Sequence, residues 1–438
     1  MIQSLALIIS LSLLSGCTYL SKKFESMTED NTGNAADTSK ALAAKKRNYC
    51  PANSKFQYIS EDEYTSKFYS QLHPTLFENK NNTFAKKAVM FSLLEMSRRP
   101  DRASPYSRLQ FYLRLNGKTY YYDFRSKNVG DDQKMPFMKG LETITQKFIP
   151  GQTLLGIAGE MDSIVPKGMV VSQEFENFLR DNRADMSKSD ELTSRFFKGD
   201  EVITRYETFD RVNYRALTDL YLKNFSKSDG YEFDKDPLNL NKSPKENFQA
   251  NCNYNLNKEM TLRDAIVTSD QKISHYIGLN EGNDFFLAVT SSDLVRPFTT
   301  VPKLSYFMKT KMPASPLPIC EFKGKTQDIV LFSSNGRNPV QHLQHLVAYD
   351  IDQIDSPLML NELLNFSRHL FLSNPDRILY ESKRGRKAQL DFFLAMNFPI
   401  YHVDALGNLF GHASFKNDKR LENILYSDDR SSARIWCK

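Results

Sequence analysis

After its first 16 residues the sequence has no hydrophobic run approaching the roughly 20 residues that a transmembrane helix needs. It has no internal repeat, which argues against a solenoid or propeller. It also has no HExxH or CxxC spacing, so no metal site and no cofactor are predicted. The formal net charge of +6 is spread along the chain apart from one local cluster, which does not indicate nucleic-acid binding. The composition is that of an ordinary globular protein, and the chain of 438 residues is long enough for two hydrophobic cores.

The start of the chain has the pattern of an export signal. Residues 2–16 are uncharged and end on small residues directly before Cys17. Leu14-Ser15-Gly16-Cys17 resembles the lipobox of bacterial lipoproteins, a likeness confined to this segment. The resemblance implies cleavage before Cys17, diacylglycerol on its sulfur and acylation, for example with palmitate, of the new amino group, which together give stable membrane anchoring. The alternatives are a plain cleaved signal or a short buried helix.

The residue after the cysteine bears on the membrane. Thr18 stands where an Asp would suggest retention at the inner membrane, so the outer membrane is favoured. Residues 17–49 contain few large apolar groups, which indicates a flexible stalk. A flexible chain of this length reaches roughly 30 Å from its anchor.

Four further cysteines predict two disulfides in an exported protein. We expect Cys252 to pair with Cys320, because both lie in short strand-like runs. We expect Cys50 to pair with Cys437, because they flank the folded region and the termini of compact proteins often lie close together. Free buried thiols are the alternative.

The predicted fold is α+β, in parts that differ in pattern. Residues 50–225 form an N-terminal helical and hairpin region, in which Asn116-Gly117 joins two alternating runs in the strongest short hairpin signal. Residues 226–251 are polar and rich in breakers, which predicts a linker or a long loop. Residues 252–438 begin with another antiparallel hairpin and end in an α/β third. In that third, strand 377–380, helix 386–396 and strand 399–403 predict a parallel βαβ unit.

Three polar loops follow strands of the C-terminal third, and we expect them at one sheet edge, where ligands collect in parallel sheets. Candidate catalytic residues in these loops are Ser333, Ser334, His402, Asp404 and His412. Candidate anion-binding residues are Arg337, Lys383, Arg384 and Arg386. The alternative is that the Ser and Asn residues cap helices and that the basic run is a solvated face. A faint likeness to a phospholipase D-like unit fails, since Ser414 stands where the motif after His412 requires Lys.

Two functions therefore remain open. The first is a lipid-anchored envelope component that binds a protein, peptidoglycan or an anionic lipid headgroup. The second is an envelope hydrolase, phosphodiesterase- or esterase-like, with its site on the C-terminal sheet edge. The first is preferred because no complete catalytic set occurs at diagnostic spacing.

Overall fold

The computed structural model describes most of the chain after residue 48. The described residues are 49–51, 54–60, 63–126, 134–227, 231–235, 248–254, 274–291, 299–300, 307–308, 317–334, 339–348, 351–372, 377–385, 387–397, 399–417, 420–430 and 433–438. Among them, no helix is both long and apolar enough to cross a membrane. Cys17, Arg337 and Arg386 lie outside the described residues.

The described part of the chain contains eleven α-helices. They are α1 (Glu63–Leu76), α2 (Phe84–Arg98), α3 (Pro136–Phe148), α4 (Leu154–Ile164), α5 (Gln173–Asp181), α6 (Arg183–Met186), α7 (Asp190–Phe196), α8 (Tyr214–Asn224), α9 (Pro339–Ala348), α10 (Pro357–Leu364) and α11 (Lys387–Ala395). Helix α2 begins after Thr83, whose side chain accepts a hydrogen bond from the Lys86 N–H.

Twenty-one strands are described, most of them antiparallel to their neighbours. They are β1 (Phe56–Ser60), β2 (Arg108–Leu115), β3 (Lys118–Ser126), β4 (Gly168–Val170), β5 (Phe197–Lys198), β6 (Glu201–Val202), β7 (Thr208–Asp210), β8 (Tyr231–Lys235), β9 (Gln249–Cys252), β10 (Ser274–Glu281), β11 (Asp284–Ser291), β12 (Thr299–Thr300), β13 (Phe307–Met308), β14 (Ile319–Lys323), β15 (Gln327–Ser334), β16 (His369–Leu372), β17 (Arg377–Tyr380), β18 (Ile400–His402), β19 (Asn408–Asn417), β20 (Arg420–Ser427) and β21 (Arg434–Cys437).

The largest sheet has seven strands in the order β21-β1-β10-β11-β2-β3-β8. Its two central hairpins are those that the sequence predicts. Asn116 and Gly117 both have positive φ, as a two-residue turn between β2 and β3 requires. Gly282, also at positive φ, turns the chain between β10 and β11.

A second sheet, ordered β20-β19-β15-β14-β9, packs against one face of the seven-stranded sheet. Tyr276, Phe285 and Leu287 of the first sheet share a core with Phe332 and Phe410 of the second. The other face of the seven-stranded sheet is covered by α2, α3 and α4, whose apolar residues share one cluster with Ile277 and Leu279. The result is a sandwich of two sheets with helices on the outer face of the larger sheet.

The chain divides into two compact units, one of residues 47–361 with 407–438, the other containing residues 362–406. The smaller unit has the three-stranded sheet β16-β17-β18, in which β17 and β18 are parallel and joined through α11. The predicted βαβ unit and the α+β class are confirmed. Strands from both sides of residues 226–251 pair within the seven-stranded sheet, so this stretch connects parts of one unit.

Both predicted disulfides are present. Cys252 bonds Cys320 between paired strands β9 and β14, and Cys50 bonds Cys437 near the two ends of the described chain. Each bridge joins a residue before β10 to a residue after it.

Candidate functional site

The structure separates the candidate residues that the sequence places at one sheet edge. The strand leading to Ser333 is β15, which lies between β14 and β19 in an antiparallel sheet of the larger unit. Lys383, Arg384, His402 and Asp404 belong to the smaller unit. The prediction that these loops follow strands of one parallel sheet is therefore wrong. The residues of β15 are apolar because both faces of this strand are buried. An antiparallel strand inside a sandwich therefore has the same continuous apolar pattern as a strand of a parallel sheet.

Ser333 and His412 are both buried, on neighbouring strands, but they are not placed to act together. Ser333 pairs with Leu409 of β19, and Ser334 pairs with Asn408. Because His412 lies three residues beyond Leu409, it faces the opposite side of the sheet, roughly 10 Å along the strand from Ser333.

His412 occupies the core between the two sheets. Its ring stacks on Phe285 at 3.8 Å, and its Nε2 lies 3.2 Å from Asn280 Oδ1. Complete burial, helped by the positive charge of Arg114, holds the pKa of His412 well below its usual range. A neutral histidine stacked on Phe285 in the core has a structural role here.

The candidates of the smaller unit lie at and near its surface. The exposed Lys383 and Asp404 form an ion pair of 2.6 Å, and Arg384 ends the same short 3₁₀ turn. His402 ends β18, opposite Tyr380. Within the described ranges, no three His, Cys, Asp or Glu side chains are grouped to hold a metal ion.

A different polar site lies where three strands of the seven-stranded sheet begin or end. Ser274, the first residue of β10, pairs with Ser291 at the end of β11. Ser291 in turn pairs with Arg108 at the start of β2. We call Ser274, Ser291 and Arg108 the strand-end row.

Arg108 is completely buried and held by Asp123 of β3. The guanidinium donates from Nε to Asp123 Oδ1 at 2.6 Å and from Nη2 to Oδ2. Arg125, two residues further along β3, donates from Nη1 to the same Oδ2 at 3.1 Å, with 23% of its side chain exposed. One carboxylate thus serves two guanidinium groups, and the adjoining strand β8 places Glu232 opposite Arg125 and Asp234 opposite Asp123.

A second charged cluster lies at the end of helix α2. The buried Arg99 donates to both carboxylate oxygens of Asp101, at 2.9 and 2.7 Å, and to Glu174 at 3.1 Å. Arg102 Nη1 lies 3.0 Å from the same Glu174 oxygen. The bidentate geometry fixes both the loop after α2 and the first turn of α5.

Two contacts join this cluster to the strands of the row. The Thr290 hydroxyl, one residue before Ser291, donates to the carbonyl of Arg102 at 2.6 Å. His275, one residue after Ser274, is hydrogen-bonded through Nε2 to Glu95 of α2. Burial lowers the pKa of His275, as do Arg99 and Arg102, while Glu95 opposes them. The residues beside both serines are therefore fixed by the helix layer.

The buried His369 of the smaller unit should make the stability of the protein depend on pH. Burial lowers the pKa of His369 from 6.5 to about 4. The unfolded chain therefore binds a proton more readily, so the free energy of unfolding falls as the pH drops from 6.5 towards 4. Between pH 7 and pH 5 we expect a loss of about 2 kcal/mol from this group. Urea unfolding at both pH values, followed by circular dichroism, measures it. A His369→Phe variant should lose this part of the pH dependence, and an equal dependence in both proteins would contradict the assignment.

No protein-family model and no curated protein sequence matches the chain. Solved structures do resemble it. Cephalosporin acylase from Bacillus halodurans superposes with a TM-score of 0.60 at 9% sequence identity, covering 93% of this chain and 98% of that chain. LmbA2991HD superposes with a TM-score of 0.57 at 7% identity, covering 88% of this chain and 98% of that chain. At these identities the likeness concerns the fold alone.

Proposed function

We propose that this protein is an exported, lipid-anchored hydrolase that cleaves an acyl bond, an amide or ester, at the strand-end row. The observation that carries the proposal is the likeness of nearly the whole chain to an acylase structure over 98% of that structure. The row adds two serines and the buried guanidinium of Arg108, which is paired with Asp123. This function is of the envelope hydrolase class that the sequence left as its alternative, with the site moved to another part of the chain.

The proposed nucleophile is Ser274. One class of acyl-transfer enzymes uses the first residue of a chain, whose own α-amine acts as the general base. Cleavage of the peptide bond between Ile273 and Ser274 would place a hydroxyl and a free amine on one residue at the start of β10. The amine would accept the hydroxyl proton as Oγ attacks the acyl carbon, and the departing amine or alcohol would take up that proton. Water would then hydrolyse the acyl-enzyme and release the acid.

We base the proposed substrate class on the arginine pair beside the row. Arg125 is partly exposed next to the buried Arg108, and both guanidinium groups contact the Asp123 carboxylate. A guanidinium group binds a carboxylate through two parallel hydrogen bonds. The proposed substrate is therefore an acyl compound with a carboxylate near the bond that is cleaved.

An Arg125→Met variant tests this substrate class. A hydrogen bond to a charged group contributes roughly 1.5–3 kcal/mol, so we expect KM for an N-acyl-4-nitroanilide with a terminal carboxylate to rise about 10- to 100-fold. Release of 4-nitroaniline is followed by absorbance. The matched control is the methyl ester of the same compound, for which both proteins should have a similar KM. A loss of the same size on both compounds would argue against carboxylate recognition.

A binding role is the second candidate. It is favoured by the local contacts, since the nearest described His and Thr side chains are used structurally, His275 by Glu95 and Thr290 by the Arg102 carbonyl. A chain that stays uncut would have no free amine at Ser274. It would then be an envelope component that binds an anionic ligand, with a protein, peptidoglycan or a lipid headgroup as partner.

Export and lipid attachment remain a proposal that one measurement can test. Intact mass of the protein extracted from membranes should show the loss of residues 1–16, the addition of acyl chains at Cys17, and two disulfides. A chain that retains residues 1–16 would contradict the anchor.

A further inference from the structure

Exposed large hydrophobic side chains are concentrated in the smaller unit. Of eight such residues in the described part of the chain, four lie between residues 371 and 396. They are Phe371 (42% exposed), Phe392 (61%), Leu394 (58%) and Met396 (39%). We call Phe371, Phe392 and Met396 the apolar surface.

The apolar surface is not an incidental edge of the core. Helix α11 already buries Leu390 and Phe393, which pack in the core of this unit. Phe392 and Met396 lie one helical turn apart on one side of that buried stripe, and Leu394 lies on the other side. The rings of Phe371 and Phe392 both contact the ring of the buried Phe393, with centroids 6.1 and 5.7 Å apart, so the two exposed rings flank one core side chain.

Basic residues stand directly before this helix. Lys383 and Arg384 form a short turn, Arg386 follows in the sequence, and Lys387 begins α11 with an exposed side chain. A helix that exposes Phe and Leu beside Lys and Arg has the composition of segments that lie in the headgroup region of a bilayer. Basic residues near an anionic membrane surface are attracted to its headgroups.

We propose that the apolar surface inserts into the membrane to which the chain is tethered, and that Lys383, Arg384 and Lys387 contact anionic phospholipid headgroups. Apolar side chains kept in water are unfavourable, and transfer into the acyl-chain region removes that cost. The predicted anchor at Cys17 and its stalk hold the body within roughly 30 Å of the bilayer, which makes the lipid surface the nearest apolar phase. The inference rests on the predicted export and is independent of the proposed hydrolase activity.

Quenching of tryptophan by brominated lipids tests the inference on the full-length protein. Trp436 is the single tryptophan, so Trp436→Phe gives a background without indole fluorescence. Phe392→Trp in that background places the probe on the apolar surface. Tyr206→Trp is the matched control, since Tyr206 is 54% exposed and lies in the larger unit. Circular dichroism and thermal melting show that each variant is folded.

With vesicles of phosphatidylcholine and phosphatidylglycerol brominated near the start of the acyl chains, we expect fluorescence at position 392 to fall to about half, because interfacial helices insert roughly 5–10 Å. Position 206 should remain unquenched. Omitting phosphatidylglycerol, or adding Lys383→Gln and Lys387→Gln, should weaken the quenching several-fold. Equal quenching at positions 392 and 206 would overturn the inference. So would the absence of quenching at position 392 on vesicles that contain phosphatidylglycerol, a result that would favour a protein partner for this surface. The probe reports on the surface whether or not Cys17 is acylated and whether or not the enzyme is active.

Discussion

Reducing gel electrophoresis of the mature protein should show two fragments, which correspond to residues 17–273 and 274–438. We expect two fragments because the proposed reaction needs a free α-amine on Ser274. This amine exists only after the peptide bond between Ile273 and Ser274 is cut. The effect is all-or-none for the proposed chemistry, since an uncut Ser274 has its nitrogen in an amide that cannot accept a proton. N-terminal sequencing of the smaller fragment should begin Ser-His-Tyr-Ile.

The disulfides make this prediction distinctive. Cys50 and Cys252 precede Ser274, whereas Cys437 and Cys320 follow it. Without a reducing agent the two fragments should therefore migrate as one species, and only reduction should separate them.

A pair of variants provides the control for the cut. In the proposed self-cleavage the Ser274 hydroxyl attacks the carbonyl carbon of Ile273, the Ser274 nitrogen leaves as the α-amine with the hydroxyl proton, and water hydrolyses the resulting ester. Ser274→Ala removes this hydroxyl and should abolish both cleavage and 4-nitroanilide hydrolysis. Ser291→Ala, at the paired position of β11, should leave the cut unchanged. Wild-type protein that remains a single chain after reduction would overturn the hydrolase proposal and leave the binding role.

The sequence predicts local elements well and sheet membership poorly. The β2–β3 hairpin follows from Asn116-Gly117 and from alternation, both properties of adjacent residues. By contrast, the pairing of β11 with β2 joins residues far apart in the chain, such as Phe285 with Arg114. No local pattern encodes that pairing. The polar residues 226–251 therefore predict a break between two regions, although strands from both regions form one sheet.

The candidate site was missed for a related reason. Ser274, Ser291 and Arg108 come from three strands, and only the assembled sheet brings them into a row. One part of the site does have a sequence signal. A two-residue turn at Asn116-Gly117 sets Arg108 opposite Arg125 across the hairpin, and two arginines so placed need a counter-ion on the same face. Asp123, two residues from Arg125, satisfies that need.

The anchor segment and the C-terminal loops differ in what can be concluded from them. A lipobox is a short linear motif that needs no tertiary structure, so Cys17 can be proposed from the sequence alone. The prediction that the loops at Ser333, Arg384 and His402 lie together requires their strands to form one sheet. Strand-helix-strand spacing predicts the β17–β18 pair but carries no information on the neighbours of β15, which lies in another sheet.

The largest effect on stability is expected at the Arg108–Asp123 pair. Asp123→Leu should lower the free energy of unfolding by about 3–5 kcal/mol, because it leaves the completely buried Arg108 without its carboxylate. Urea unfolding measures the loss through Trp436, whose strand β21 pairs with β1 at the edge of the same sheet. The exposed Lys223–Asp219 pair, at 2.6 Å, is the matched control, and Asp219→Ala should cost roughly 0.2–1 kcal/mol.

A double variant separates the cost of burying a charge from the contribution of the pair. Arg108→Met with Asp123→Leu removes both charges, so it should recover most of the stability that Asp123→Leu loses. Arg125 would then lose its Asp123 contact but keep access to solvent. If the double variant is as unstable as the single one, the pair fixes the geometry of β2 and β3 in a way that apolar packing cannot replace. If it is as stable as the wild type, stability does not account for Arg108 and Asp123, and their charges are best explained by binding at the strand-end row.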